Sequence, residues 1–344
     1  MLYWRKKREA KLMEPTLTEA IEILKKLSIK GVDKALETLR EIEKEESCEK
    51  KANTSVSKCP HCIGLNIVRN GHKRSKQAYL CRTCGKSFVE TTNTALYNSH
   101  SSAAVWKQVV KDTVNGIPID ETAEKLNLHH ETVFNMRHKI MFCLEQEEIN
   151  APKKLKGMCE ADETYILENY KGKKFSPDFW RKPRKHGAKA KKPGLSNEYI
   201  CVCAGVERNG EAISMAVNRS VASKHDINQV FGGRVSNKTV IVADGAKGYE
   251  VLVETGKYVV LNMNEDSEHP LNINTVNNFH SFIKERNRNA RGFATKYLNR
   301  YNSLFSNIYR SAKSISDDIF QLVCDKENRN HNIDEIRTLN LLLI

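Results

Sequence analysis

Hydrophobic residues recur along this chain in two rhythms, and the switches between them divide it into segments. From Leu17 to Glu46 the spacing is helical. Ile21, Ile23, Leu24 and Leu27 make one stripe, and Val32, Ala35, Leu36, Leu39 and Ile42 make a second beyond Gly31. Glu and Lys fill the other faces, so residues 1–50 are expected to carry a helical hairpin for packing or oligomerisation. Residues 49–58 are polar and short-sided and read as a linker. Three short strands are expected around Val68-Arg69, Ala78-Tyr79-Leu80 and Ser87-Phe88-Val89, with Gly64, Asn70-Gly71 and Gly85 supplying the turns. Helical spacing returns over 103–114 and stops at Asn115-Gly116. It resumes as a short helix holding Ala123, breaks at Asn127, and continues through Val133, Met136 and Ile140.

Beyond residue 150 the two rhythms alternate. Strands are expected at Met158–Ile166, Glu198–Val206 and Ala212–Val217, then a helix over Ser223–Phe231 with Ser and Asp as capping signals. The β-branched run Thr239–Ala243 reads as a buried strand. A helix at Gly248–Glu254, a strand at Tyr258–Leu261 and a longer helix at Thr275–Asn289 complete the series. Three strands in a meander followed by alternating helix and strand is the order of an RNase H-like fold. The expected class is therefore α/β, with a mixed five-stranded sheet and its helices preceded by two smaller modules. The expected divisions are 1–50, 51–92, 93–150, 151–315 with a basic insertion at 171–193, and a tail at 316–344.

Composition sharpens the picture in two ways. The 344 residues carry a formal net charge of +14, which points to a polyanionic partner, nucleic acid first and an anionic membrane second. No apolar run reaches the ~18 residues a membrane helix needs, and the N-terminus lacks the long apolar stretch of a secretory signal. Ten cysteines, four at metal spacing and six scattered, suit a reducing compartment better than a disulfide framework.

The four spaced thiols are the sharpest chemical signal. Cys59-Pro-His-Cys62 and Cys81-Arg-Thr-Cys84 are two CxxC turns, 18 residues apart, that can bring four thiolates to the corners of one tetrahedron. That is a Zn²⁺ ribbon, set against the bland alternative of four unrelated buried thiols. Downstream, the helix pair broken at Asn127 has the pattern of a helix-turn-helix, and equally that of an ordinary helical hairpin. Its second helix offers His129, His130, Thr132, Asn135 and Arg137 to phosphates and base edges. Residues 171–193 hold ten Lys or Arg against one acid, Asp178, with Phe175, Phe179 and Trp180 interleaved. Arg184, Lys185, His186 and Lys189 are the candidates there for a DNA backbone track, the alternative being a solvated loop.

Asp162 sits inside the first core strand, and Asp244 ends the run Val240-Ile241-Val242-Ala243. A carboxylate in an apolar strand is costly unless paired or coordinated, and two on neighbouring strands suit Mg²⁺ in phosphoryl transfer. Each alone is weak: Glu163 competes with Asp162, and Asp244-Gly245 is also a plain turn signal.

Five segments in order carry a more specific likeness: Glu160–Tyr165, Lys182–Glu198, Val242–Gly245, Val276–Lys284 and Arg291–Leu298. Behind a Cys₄ ribbon they resemble bacterial insertion-sequence transposases of the DDE class, in the ISXO2-like branch of the IS1595 family. The resemblance spans about residues 55–310 and implies an RNase H-like core with Asp162 and Asp244 as ligands for Mg²⁺ or Mn²⁺. It puts Asn277 at the third acidic position and Lys284 seven residues on, on the same helix face. If Asn277 does not coordinate, Glu163 or Glu268 are the alternatives. The implied activity is binding of terminal inverted repeats in double-stranded DNA, then metal-dependent cleavage and strand transfer into a target. The expected setting is the bacterial cytoplasm at the nucleoid, without membrane, as a homodimer or larger assembly on DNA. Two competing readings are a catalytically decayed, transposase-derived DNA-binding regulator and a nuclease that cuts but never joins.

Overall fold

The computed structural model describes residues 56–338, apart from 74–75, 173–179, 185–188, 193, 209, 237–238, 244–246, 255–258, 263–271, 291, 312–313, 326–330 and 332. The expected helical hairpin at 17–46 and the apolar terminus at 341–344 lie outside the described residues. Strands β1 (Ile67–Lys73), β2 (Lys76–Cys81) and β3 (Ser87–Val89) form a three-stranded sheet in that order.

Three helices follow: α1 (Ala103–Asn115), α2 (Ile119–Leu126) and α3 (His130–Asn150). Ser102 caps α1 by accepting from Val105 N–H, and Gly116 ends it in the left-handed region (φ 74°), where its N–H reaches the Asp112 and Thr113 carbonyls. Asn127 closes α2 in the same way at φ 50°. Val109, Val110, Ala123, Val133, Met136 and Ile140 are all buried in one apolar cluster. Polar ties fix the angles between the helices. Buried Asp112 of α1 receives Lys125 of α2 at 3.2 Å, and Arg137 of α3 donates to Thr122 of α2 at 2.8 Å.

The larger sheet contains β4 (Met158–Leu167), β5 (Tyr199–Glu207), β6 (Ala212–Arg219), β7 (Val240–Ala243) and β8 (Val259–Asn262). Its order is β6-β5-β4-β7-β8. The meander β4-β5-β6 is antiparallel, whereas β7 runs parallel to β4 and β8 parallel to β7. Helix α4 (Lys224–Phe231) begins with a reciprocal capping box between Ser223 and Asp226. After it come α5 (Glu250–Glu254), α6 (Asn274–Asn289), α7 (Leu298–Ile308), α8 (Ile315–Cys324) and α9 (Ile333–Thr338).

Alternation along the strands sends side chains to two separate cores. Ala204, Val206 and Val242 join Val276, Phe279 and Ile283 of α6 on one face. Cys159, Ala161, Cys203 and Ile241 join Ile227 and Phe231 of α4 and Tyr249 on the other. The edge strand β6 is covered by α7. The Asn299 amide accepts from Ala216 N–H at 2.7 Å and donates to the Ala216 carbonyl at 3.2 Å, occupying main-chain groups an edge would otherwise expose. A buried pair, Glu145 of α3 and Arg300 of α7 at 3.0 Å, joins the helical module to this layer.

Helix α8, in the expected tail, is part of the core. Ile319 and Val323 of α8 are buried with α1, and Ala95 N–H donates to the Val323 carbonyl at 3.2 Å. No described helix is long and apolar enough to cross a membrane.

Gly205 of β5 marks a tight approach in the second core. A Cβ built there would meet Phe231 Cε1 at 2.5 Å and Leu155 Cδ1 at 3.1 Å. Gly205→Ala is therefore expected to cost about 1–3 kcal/mol by overpacking, read as a lowered midpoint in urea unfolding; an unchanged midpoint would show that the Phe231 ring yields freely.

Candidate active site and metal centre

The ribbon thiols come together as the spacing requires. One ligand atom from each of Cys59, Cys62, Cys81 and Cys84 lies within 4.8 Å of the others. Sγ of Cys59 is 3.7 Å from that of Cys84, and Sγ of Cys62 is 3.6 Å from that of Cys81. A tetrahedron with Zn–S bonds of ~2.3 Å has edges of about 3.8 Å, so these two separations match its edges and the cluster could hold Zn²⁺. Tight turns make this possible: Ile63 N–H donates to the Cys59 carbonyl and Gly85 N–H to that of Cys81, with Gly85 in the left-handed region at φ 70°.

On the larger sheet, register decides which acid faces what. Glu160 and Asp162 pair with Val206 and Ala204 of β5, so both point to the α6 side. Glu163 pairs with Cys203 and points to the opposite side, against Tyr249. Burial, with the Glu163 charge behind it, pushes the Tyr249 phenol well above its usual range. Glu163 thus does not share the face of Asp162, which removes it as an alternative partner in one metal site.

Asp162 meets α6 at His280. The ring Nδ1 lies 3.8 Å from Asp162 Oδ2, and the Asp162 side chain remains about a quarter exposed while His280 is buried. Burial lowers the His280 pKa to about 4, with the Lys284 charge acting in the same direction and a hydrogen bond to the Asp162 backbone opposing. The imidazole is therefore neutral at pH 7. Asn277 and Lys284, at −3 and +4 from His280, flank it on the same side of the helix and are exposed. Asp244 and Glu268 lie outside the described residues. In the β4–β7 register Ala161 stands beside Ala243, the last described residue of β7.

The residue that seats α6 on β4 was not singled out in the sequence. Glu160 is fully buried, and its Oε2 accepts from Thr275 N–H at 2.6 Å and Val276 N–H at 3.2 Å, in the first turn of α6. Its Oε1 accepts from Arg208 Nε at 2.9 Å, and Arg208 also donates to the Asn272 carbonyl at 3.2 Å. One carboxylate thereby caps a helix that has no side-chain cap of its own. A signal for it existed: Glu160 and Asp162 are two residues apart in a strand, which is same-face spacing.

The expected DNA-facing residues divide. His129 caps α3 by accepting from Glu131 N–H, and both it and Thr132 are exposed. His130 Nδ1 is 2.5 Å from Asp120 Oδ1. Asn135 accepts from Arg337 at 3.0 Å. Arg137 turns inward to Thr122, and burial lowers its pKa; it holds α2 on α3 and does not face outward.

Arg184 is a second correction. Its guanidinium meets Glu198 Oε2 at 2.5 Å and donates to the Glu168 carbonyl at 2.7 Å. Arg181 and Arg219 converge on the same buried Glu168 carboxylate at 3.3 and 2.6 Å, and Trp180 Nε1 donates to it at 2.8 Å. The described flanks of the basic insertion are thus stapled to β4 and β5 by an internal network. Lys189 is exposed, and Lys185 and His186 lie outside the described residues.

Sequence comparison reaches the same segment. Residues 154–308 match the family model of the ISXO2-like transposase domain. They begin just before β4 and end with α7, taking in the whole larger sheet together with Asp162, Asn277 and Lys284. This stretch, a little under half of the chain, is similar in sequence to ISXO2-like transposase domains. An uncharacterised protein of the transposable element ISH50 from Halobacterium salinarum is 22% identical over 249 residues, covering 71% of this chain and 82% of that protein. Solved structures of the Mos1 strand transfer complex and of a pre-cleavage Mos1 transpososome align at 12% identity. They cover 67% of this chain and 79% and 80% of theirs, with TM-scores of 0.26 and 0.23.

The purified chain is expected to carry one Zn²⁺, and Cys59→Ser to lose it on metal analysis; stoichiometric zinc retained by that variant would remove the ribbon's assignment. Glu160→Ala, which strips the partner from Arg208 and from two helix N–H groups, lowers stability by about 3–5 kcal/mol. Glu160→Gln, keeping shape and one acceptor, falls between that variant and wild type. Calorimetric melting of the three proteins gives the ranking.

Proposed function

We propose that this chain is a DNA transposase that binds double-stranded DNA at the terminal inverted repeats of a mobile element and cuts and joins strands there. The observation that supports this most is the meeting of Asp162 with α6 inside the segment of ISXO2-like sequence. An open carboxylate on β4 faces the helix that presents Asn277 and Lys284. The core is read as RNase H-like, with its meander β4-β5-β6 followed by the parallel strands β7 and β8.

In this reading Asp162 and Asp244, with Asn277 in the third position, hold Mg²⁺ or Mn²⁺. A hard oxygen donor that is still partly open to solvent, as Asp162 is, suits such an ion. When bound, the ion supplies charge neutralisation on the scissile phosphate and a more acidic water. The chain's own groups do the rest. Lys284 meets a phosphate oxygen as a point charge. Asn277, being neutral, leaves the site one negative charge fewer than a third carboxylate would. His280 fills the floor beneath Asp162 without adding charge. No covalent enzyme intermediate is needed, because positioning and charge stabilisation carry the chemistry.

The ribbon, together with α2 and α3 read as a helix-turn-helix, recognises the ends. With Arg137 inward and Asn135 engaged by Arg337, the outward candidates on α3 are His129, His130 and Thr132. Two ends must be held together for transposition, so a dimer or larger assembly on DNA is part of the proposal.

Asp162→Ala and, separately, Asp244→Ala are expected to abolish cleavage and joining on labelled end duplexes with Mg²⁺ or Mn²⁺, while gel-shift binding stays near wild type. Undiminished strand transfer by either variant rejects the assigned site. A wild-type protein that binds ends yet cuts nothing is the decayed regulator, and one that cuts but never joins a 3′ end to a target is the nuclease.

A further inference from the structure

A cleft of about 510 Å³ opens between the ends of β1 and β2, strand β3 and the start of α1. Lys73 and Lys76 stand on one side and His100 on the other, with the Ser99 and Ser101 hydroxyls and the rings of Phe88 and Tyr97 in the wall. Among the described residues no aspartate or glutamate lines it. Both lysines are exposed, and neither forms an ion pair with a described carboxylate. Among the described residues the cleft therefore holds positive charge without a paired carboxylate, unlike Arg181 and Arg184 of the basic insertion, which pair with Glu168 and Glu198.

Two further features reinforce the sign. Ser102, the N-cap of the 13-residue helix α1, also lines the cleft, and that helix has no acid in its first turn. Its leading N–H groups and the positive end of its dipole accordingly sit at the cleft wall. The apolar faces of Phe88 and Tyr97 add surface that a bare inorganic ion would not use but a sugar ring would. The volume likewise exceeds what a single oxyanion fills.

We propose that this cleft is a binding site for the sugar–phosphate backbone of duplex DNA, with Lys73 and Lys76 on successive phosphates and the α1 N-terminus and hydroxyls around one of them. The proposal rests on the reading of the chain as a DNA-binding transposase and deepens it: the binding is sequence-independent and falls between the ribbon hairpin and the first helix. It positions the duplex and leaves the reading of bases to other surfaces.

The test uses the full-length, zinc-loaded protein. Binding of end duplexes and scrambled duplexes is measured across a salt series for wild type and for the double variant Lys73→Ala, Lys76→Ala. Every phosphate that a lysine neutralises steepens the log–log salt dependence by about 0.9. The variant's slope is therefore expected to be shallower than wild type by between about 1 and 2, with end-versus-scrambled discrimination unchanged. Independently of any variant, wild-type Lys73 and Lys76 are modified with an amine-acylating reagent and read by mass spectrometry. Duplex DNA is expected to protect both, and inorganic phosphate at the same phosphate concentration is not. An unchanged slope, equal modification with and without DNA, or full protection by inorganic phosphate alone each overturns the cleft assignment. If the variant still cuts and joins ends with an unchanged slope, only the cleft proposal fails. If wild type binds no duplex at all, this proposal and the transposase reading fall together.

Discussion

The geometry of the candidate site depends on one buried carboxylate. Glu160 holds the first turn of α6 against β4 through two backbone N–H groups, and Arg208 closes the remaining oxygen. Strand β4 carries Asp162 two residues later, and α6 carries Asn277 two residues after Thr275. A shift of either element by one residue would turn Asp162 to the wrong face or rotate Asn277 and Lys284 away by ~100°. Hydrophobic packing of Val276, Phe279 and Ile283 presses the helix to the sheet but tolerates sliding. Directional bonds to a charged acceptor do not, which is why a polar group is worth its desolvation at this position.

Six arginines pair with carboxylates inside the fold: Arg300 with Glu145, Arg208 with Glu160, Arg234 with Glu148, and Arg181, Arg184 and Arg219 with Glu168 and Glu198. Their planar forks match carboxylates and their weaker hydration lowers the cost of burial. Lysines such as Lys73, Lys76, Lys189 and Lys284 stay outside. The formal excess of +14 thus overstates the charge open to a polyanion, because these six guanidiniums are already paired.

Much of this was legible in the sequence because local rules dominate there. The Cys₄ spacing, the glycine and asparagine helix stops at Gly116 and Asn127, the Ser223 cap and the strand order from β4 to β8 all follow from patterns spanning a few residues. What could not be read were pairings set by distant parts of the chain. Arg184 sits in a visibly basic run, yet Glu198, fourteen positions on, claims its guanidinium. Arg137 lies on the helix face expected for DNA, yet Thr122 of the preceding helix takes it. Glu160 had the right spacing beside Asp162, but its partners come from residues 208, 275 and 276. The helix α8 was passed over because its apolar stripe has no meaning until α1 and Ala95 are known to lie beneath it.

The cysteines divide along the same line between inside and outside. Burial pushes the Cys143 and Cys159 thiols up to about 12, and Cys203 is raised as well by its Cys201 neighbour and by burial. These interior sulfurs are protonated, shielded and slow to react. Among the described cysteines, Cys62 of the ribbon is the exposed one. The difference is one of access and not of acidity, since the Cys62 thiol is itself raised to about 12; a thiol-directed reagent meets Cys62 in solvent, whereas the sheet bearing Asp162 keeps its described sulfurs buried.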